Sequence, residues 1–245
     1  MAIKLYVVRH GQPASQEPGY TGGENPGLSK LGRVQAERVA EQIAQWGIDT
    51  LYSSTYRRAI ETALPIHEKL GVPWHMWPAL SETGRRSWPR LREMQAAGAY
   101  GPVSQARLRA METKEHLASY PPVSELVKRY PAAKPTQPFD WPDDWYAPLI
   151  DETREETYAR AHRVIGALKS IHKDGDRIAV VCHGAFGSVL LTVLAEGPPC
   201  DYNRYGFAHA AIARVDLMPD GTAMFELVDH IAHLLPDLVT EGPEF

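Results

Sequence analysis

The stretch of sequence that decides the fold is IKLYVVRHG, residues 3–11. Apart from Lys4, its first six residues are apolar on both sides of an extended chain, a pattern typical of a strand buried inside a parallel sheet. The apolar run ends abruptly at Arg9 and His10. Ligands bind at the carboxyl ends of the strands in open α/β sheets, so this junction is the first candidate for a functional site.

The chain that follows alternates helical and extended patterns. Ser29 can cap a helix whose apolar residues recur at helical spacing as far as Gly47, and a short strand is predicted at 50–52. A second helix is predicted to end at Gly71, because glycine commonly follows the last helical turn. A third strand is predicted at 74–80. This first third of the chain has the alternation of an α/β protein.

The same alternation returns in the last third of the chain. Thr153 and Glu156 form a capping-box pattern at the start of a helix. A strand at 178–182 and an apolar helix follow, and residues 211–217 and 224–228 predict a hairpin. We therefore expect an α/β fold, a three-layer sandwich in which helices flank a mainly parallel central sheet.

The middle of the chain, residues 84–150, does not follow this pattern. It is rich in proline, holds tryptophans such as Trp141 and Trp145, and looks clearly helical only at 103–120. A stretch of this length is either a cap or a disordered insertion, and its aromatic content favours a folded cap. We predict one domain, 1–245, with 84–150 as an inserted cap.

The composition excludes several classes of protein. Of 245 residues, 44% are hydrophobic and 23% charged, as in ordinary globular proteins, and the formal net charge of -4 argues against a nucleic-acid partner. Cys182 and Cys200 are too few for a disulfide framework. The sequence has no apolar run long enough for a membrane span and no signal-peptide pattern. We expect a cytoplasmic protein with no membrane or nucleic-acid partner.

Four predicted strand ends carry polar side chains suited to holding an anion. They are Arg9 and His10 after the first strand, Arg57 and Arg58 after the second, Glu82 after the third and His183 after the strand at 178–182. If these ends converge, two imidazoles, the arginines and a carboxyl group share one pocket. Such a set suits phosphoryl transfer, in which positioned positive charge stabilises the transferring group.

Each residue type has a role in that chemistry. A neutral imidazole at His10 can attack phosphorus and form a phosphohistidine. Arg9 and Arg58 can bind phosphate oxygens with two N–H groups each, and the backbone amides at Gly11 and Gly184 can approach the anion.

Glu82 can protonate the leaving oxygen and then take a proton from water; the alternative is a loop carboxylate paired with Arg85 or Arg86. The two histidines and a carboxylate could instead bind a metal ion, but a cation site would not recruit guanidinium groups. We therefore predict that the protein uses no metal and no cofactor.

These residues and their surroundings resemble the histidine phosphatase superfamily, which includes the phosphoglycerate mutases. The matching motifs are Arg9-His10-Gly11, LSKLGRVQA at 28–36, SSTYRRAIETA at 53–63, Leu80-Ser81-Glu82 and His183-Gly184. They occur in the family's order and cover the core, roughly residues 1–83 and 153–235.

The resemblance implies specific roles. Arg58, not Arg57, is the expected phosphate ligand. The implied catalytic residues are His10, Glu82 and His183, and the implied phosphate-binding residues are Arg9, Gly11, Gln12, Arg58 and Gly184. Both sets lie in the part of the chain that the motifs cover.

Three departures from the family pattern bear on the substrate. Residues 84–89 replace a Gly-x-Trp-x-Gly segment, Pro13 follows Gln12, and His209 stands where many relatives have asparagine. Arg85, Arg86 and His209 are accordingly candidate substrate contacts.

The expected function is metal-independent hydrolysis of a phosphate monoester through phosphorylated His10. The substrate is either a small phosphorylated metabolite or a phosphoprotein. A phosphoglycerate-type mutase and a non-catalytic phospholigand-binding protein are the alternatives, although no core position carries an inactivating substitution. Aromatic residues of the insertion could also form a homodimer interface.

Overall fold

The computed structural model describes most of the chain outside the predicted cap. The described residues are 1–83, 119–136, 141–150, 152–200 and 204–240.

Several predictions fall on the remaining residues. Arg85, Arg86 and most of the helix predicted at 103–120 lie outside the described residues. In the part that is described, no helix is both long enough and apolar enough to span a membrane.

One mixed sheet organises the described residues. Its strands are β1 (Ile3–Arg9), β2 (Thr50–Ser53), β3 (Trp74–Met76), β4 (Ala133–Pro135), β5 (Arg177–Cys182), β6 (Ile212–Leu217) and β7 (Ala223–His230). They are ordered β4-β3-β2-β5-β1-β6-β7. The pairs from β4 to β1 are parallel, whereas β6 and β7 are antiparallel to their neighbours. The predicted mainly parallel sheet and the hairpin are confirmed.

Helices cover both faces of this sheet. They are α1 (Lys30–Trp46), α2 (Arg57–Leu70), α3 (Val123–Arg129), α4 (Ala147–Ile150), α5 (Arg154–Ile171) and α6 (Gly184–Leu194). The side chains of β1 alternate between two cores: Leu5 and Val7 pack with α5 and α6, and Tyr6 and Val8 pack with α1 and α2. This arrangement confirms the three-layer α/β sandwich.

The helix boundaries follow the predicted capping residues. The side chain of Ser29 accepts a hydrogen bond from the Gly32 N–H, and Gly47 ends α1 with a φ of 72°. Thr153 and Glu156 form the reciprocal capping box at the start of α5.

Two parts of the sheet differ from the prediction. The third strand ends at Met76 instead of residue 80, because Pro78 lacks an N–H and opens a 3₁₀ turn at Pro78–Leu80. The strand β4 was not predicted at all. It pairs in parallel with β3, so part of the predicted cap region extends the edge of the sheet.

Candidate active site

The histidines are brought together by strand order. The strands β1 and β5 are parallel neighbours, with Arg9 in register with Cys182, so their carboxyl ends meet at one edge of the sheet. His10 and His183 follow these two strands, and their ring centroids lie 5.1 Å apart. The adjacent strand β2 leads through residues 54–56 into α2, whose first turn carries Arg58. The predicted convergence of these strand ends is present in the structure.

The hydrogen bonds of His10 identify its tautomer. The ring is fully buried. Its Nε2 lies 2.8 Å from the Arg58 Nε, and its Nδ1 lies 2.7 Å from the Gly11 carbonyl oxygen. Because a guanidinium only donates, Nε2 accepts and the proton is on Nδ1, which donates to Gly11. The lone pair of Nε2 therefore faces the Arg58 guanidinium.

Arg57 and Arg58 have different surroundings although they are adjacent. Arg58 is buried against His10, and its guanidinium carbon lies 4.5 Å from the ring centroid of Tyr56. The half-exposed Arg57 instead donates its Nε–H to the Glu61 carboxylate over 2.6 Å. The structure thus places Arg58, and not Arg57, beside His10.

The second arginine, Arg9, is directed by a third histidine. It donates to the Phe207 carbonyl oxygen and, over 3.1 Å, to Nε2 of His209. Nδ1 of His209 therefore carries the proton and donates to the Thr240 carbonyl oxygen and hydroxyl, at 3.1 and 3.0 Å. The ring of His209 lies 5.9 Å from that of His10, so this candidate substrate contact is inside the histidine cluster.

The loop after His10 rests directly on the first turn of α1. A Cβ on Gly11 would lie 2.5 Å from the Gly32 carbonyl oxygen, and a Cβ on Gly32 would lie 2.1 Å from that of Gln12. Only glycine fits at either position, which explains the glycines of two of the motifs.

The N–H groups of this loop are engaged inside the protein. The Gly11 N–H donates to the Thr62 hydroxyl, and the Gln12 N–H donates to Oε1 of Gln35 over 2.7 Å. The side-chain oxygen of Gln12 also accepts a hydrogen bond from Ser29. In this structure Gly11 and Gln12 therefore shape the loop, and their direct contact with phosphate stays a prediction.

The side of the site near His183 contains two residues to which the sequence analysis gave no role. The Ser54 hydroxyl lies 2.9 Å from Nε2 of His183. The Tyr56 ring packs edge-on against His183, with centroids 4.8 Å apart. Burial raises the pKa of Tyr56 well above its ordinary value, so the phenol stays neutral beside the arginines. Both residues lie within the motif at 53–63. Their place in this motif was the only feature of the sequence that indicated a functional role for them.

Glu82 is held at the N-terminus of α6. Its Oε1 accepts hydrogen bonds from the backbone N–H groups of Phe186 and Thr83, each over 2.9 Å. Because α6 begins at Gly184, immediately after His183, the carboxyl group and the second histidine are attached to the same helix end. The predicted proton donor therefore lies on the His183 side of the cluster, and the positive end of the helix favours its negative charge.

A residue of α1 links the loop after His10 to the segment 238–240. The Oε1 of Gln35 accepts from Gln12, while its Nε2 donates to the Leu238 carbonyl oxygen and the Thr240 hydroxyl, at 2.7 and 2.9 Å. Since Thr240 also binds His209, the fully buried Gln35 couples the two histidine-bearing loops. Gln35 lies in the motif at 28–36, whereas nothing in the sequence marked Thr240.

The cluster is formed by nitrogen-rich, cationic side chains. Across the described ranges, no group of three or more His, Cys, Asp or Glu residues is arranged to hold a metal ion. Two buried guanidinium groups next to neutral imidazoles instead suit an anion with several oxygens, which they can bind by charge-assisted hydrogen bonds.

Comparison with known proteins identifies a family. Residues 5–129 and 119–230 match the sequence model of the histidine phosphatase superfamily (branch 1). These two matches together take in each of the polar strand ends described above.

Individual relatives match over shorter stretches. Phosphoserine phosphatase 1 of Hydrogenobacter thermophilus is 37% identical over 67 residues, which are 27% of this chain and 32% of that protein. Glucosyl-3-phosphoglycerate phosphatase of Mycolicibacterium vanbaalenii is 31% identical over 97 residues, 39% of this chain and 43% of that protein. The chain thus spans less than half of the length of these curated relatives.

The fold is also found in solved structures. "Mycobacterial hydrolase 1" superposes with a TM-score of 0.63 at 20% identity, covering 95% of this chain and 100% of that one. At this identity the similarity concerns the fold alone.

Proposed function

Because the chain belongs to the histidine phosphatase superfamily (branch 1), we propose that it is a phosphatase that hydrolyses phosphate monoesters through a phosphohistidine at His10. The observation that carries the proposal is the pair of hydrogen bonds on His10. The Gly11 carbonyl holds the proton on Nδ1, so Nε2 is the unprotonated nitrogen, and its lone pair accepts a hydrogen bond from Arg58 that must be exchanged for phosphorus when the substrate binds. A neutral imidazole in this tautomer is ready to act as a nucleophile.

In the first step, Nε2 of His10 attacks phosphorus and the bond from phosphorus to the ester oxygen breaks. Positive charge develops on the imidazole ring, and the hydrogen bond from Nδ1 to Gly11 stabilises it. Arg9, Arg58 and His183 stabilise the equatorial oxygens of the transferring group. A phosphate dianion bound beside Glu82 favours the protonated form of its carboxyl group, and this proton passes to the leaving oxygen.

In the second step, water attacks the phosphohistidine and the bond from phosphorus to Nε2 breaks. The Glu82 carboxylate accepts a proton from the water, and the electron pair of the broken bond returns to Nε2. His10 regains its neutral tautomer and Glu82 its proton, so the site is restored without a cofactor.

We assign substrate recognition beyond the phosphate to His209 and to the insertion 84–150, the proposed cap within a single domain. The described part of this insertion reaches the site: Trp145 packs edge-on against Tyr56, with centroids 5.1 Å apart, and Tyr56 contacts His183. The substrate class is a small phosphorylated metabolite or a phosphoprotein. The organic part of either would lie against the insertion.

Hydrolysis of 4-nitrophenyl phosphate in excess EDTA tests the proposal. We expect activity that resists the chelator, disappears in His10→Ala and is accompanied by an acid-labile phosphoenzyme in the wild type. Full activity in His10→Ala would contradict the covalent mechanism. Transfer of the phosphoryl group to a sugar-acid acceptor instead of water would identify a mutase, and tight phosphate binding without turnover would identify a binding protein.

A further inference from the structure

A buried ion pair lies behind the loop that carries Glu82. Arg160 on α5 and Glu152, just before that helix, are only 3% and 6% exposed. The Nε and Nη2 of Arg160 donate to the two carboxylate oxygens of Glu152 over 2.6 and 2.7 Å. This fork-to-fork geometry fixes the plane of the guanidinium.

The other donors of Arg160 point at the Glu82 loop. Nη1 donates to the carbonyl oxygens of Ala79 and Ser81, each over 2.8 Å, and Nη2 approaches the carbonyl oxygen of Glu82 at 3.5 Å. The Arg160 guanidinium therefore holds the backbone at Glu82, the proposed proton donor, and in the residues just before it.

Arg160 also contacts the residue that holds the Glu82 side chain. Its guanidinium carbon lies 4.0 Å from the ring centroid of Phe186, and the backbone N–H of Phe186 donates to Oε1 of Glu82. Arg160 thus contacts the backbone of the Glu82 loop directly and the carboxyl group of Glu82 through Phe186.

We propose that Arg160 is a positioning residue for Glu82, with Glu152 as the counter-charge that makes its burial possible. The inference rests on the proposed function, in which Glu82 is the proton donor. Stability alone does not account for the pair, because replacing a buried ion pair by apolar residues is often neutral or stabilising. A general acid, in contrast, acts only when it is within hydrogen-bond reach of the leaving oxygen.

Leaving-group dependence separates positioning of the acid from a general structural effect. The measurement is kcat/KM for a series of aryl phosphates from 4-nitrophenyl to phenyl to 4-methoxyphenyl phosphate. A basic phenolate needs the proton of Glu82, whereas 4-nitrophenolate leaves with little help. We expect Glu82→Gln to lose about 10²-fold with phenyl phosphate and less than about tenfold with 4-nitrophenyl phosphate.

We expect Arg160→Lys to show a weaker form of the same selective loss, about tenfold with phenyl phosphate and within about threefold with 4-nitrophenyl phosphate. Lysine keeps the charge but cannot hold the carboxylate and three carbonyl oxygens together. The double variant Arg160→Met/Glu152→Gln, which leaves no unpaired buried charge, should give the same pattern. Arg38→Met/Glu41→Gln, an exposed arginine–glutamate pair on α1, is the matched control and should match the wild type.

The series of substrates tests the positioning role of Arg160 separately from the role of Glu82. If Glu82→Gln is leaving-group selective but the Arg160 variants lose the same factor with every substrate, the positioning role is overturned and the proposed function stands. If Glu82→Gln itself loses the same factor throughout the series, Glu82 is not the proton donor and both are overturned.

Discussion

Nε of Arg58 donates a hydrogen bond to Nε2 of His10 over 2.8 Å, and this contact identifies Nε2 as the imidazole nitrogen that carries no proton. The guanidinium has no acceptor, so the nitrogen it faces must carry a lone pair. In the proposed mechanism, the phosphate binds beside the same guanidinium. One buried contact would then fix the tautomer of the nucleophile and place positive charge next to it.

Replacing this arginine should cost far more activity than replacing its neighbour. In Arg58→Lys the Nε–H that donates to His10 and the planar guanidinium are lost, and we expect kcat/KM for 4-nitrophenyl phosphate to fall on the order of 10²-fold. Arg57→Lys is the matched control because the side chain of the half-exposed Arg57 pairs with Glu61 and not with His10, and it should stay within about twofold of the wild type. Equal losses in both variants would contradict the assignment.

The close contact between the His10 loop and α1 predicts a severe effect of one methyl group. In Gly11→Ala the new Cβ would lie 2.5 Å from a backbone oxygen of Gly32, so the loop must move and carry His10 with it. We expect a loss of stability of about 1–3 kcal/mol and a larger fractional loss of activity. Thermal unfolding and phosphatase assays of the same preparation measure both.

Gly166→Ala provides the control for this substitution. Gly166 lies in α5, and a Cβ there would have no heavy atom within 4 Å apart from the backbone of its own helix. Alanine should stabilise the helix by roughly 0.5–1 kcal/mol and leave activity unchanged. If Gly11→Ala behaves like Gly166→Ala, the tight packing of the loop is not required for function.

The elements that sequence analysis predicted correctly have strong local signals. The strand β1 is apolar on both faces, and Ser29 and Thr153 are side chains that satisfy free backbone N–H groups at helix starts. Parallel strand ends must share an edge, so the meeting of His10 and His183 also followed from the pattern of strands and helices.

The parts that were missed depend on contacts between distant residues. The strand β4 has three residues and includes Pro135, which is tolerated because β4 lies at the edge of the described sheet. The Arg160 clamp joins α5 to a loop about eighty residues earlier in the chain. The Thr240 hydroxyl joins Gln35 and His209, which are both distant from it in the sequence. Neither contact leaves a periodic or motif-like signal in the sequence.

The contacts of His209 predict how far this position can be changed. His209→Ala removes the acceptor that orients Arg9, and we expect a loss of kcat/KM of about 10²-fold. His209→Asn keeps a carbonyl acceptor for Arg9, so its loss should stay below about tenfold. A Thr240→Val variant, which removes the hydroxyl acceptor of Gln35 and His209, should fall between the two. If His209→Ala and His209→Asn lose the same factor in kcat/KM, the hydrogen-bond acceptor for Arg9 has no role.

A second histidine pair predicts how stability depends on pH. The pKa of His233 is lowered from 6.5 to about 4; burial is the main cause, the hydrogen bond to the Ala210 carbonyl opposes it, and the neighbouring His230 adds a smaller lowering. The folded protein therefore binds this proton less readily than the unfolded chain. Stability should be lost as the pH falls from about 6.5 to 4, and the His233 contribution should level off below 4.

His233→Gln isolates this effect. Glutamine can still donate a hydrogen bond toward the Ala210 carbonyl but does not titrate, so the variant should lose less stability than the wild type between pH 7 and 4. Burial also lowers the pKa of His230, so some dependence on pH should remain in the variant. Denaturant unfolding at several pH values measures the difference. Parallel stability curves for the two proteins would show that His233 does not titrate as its burial requires.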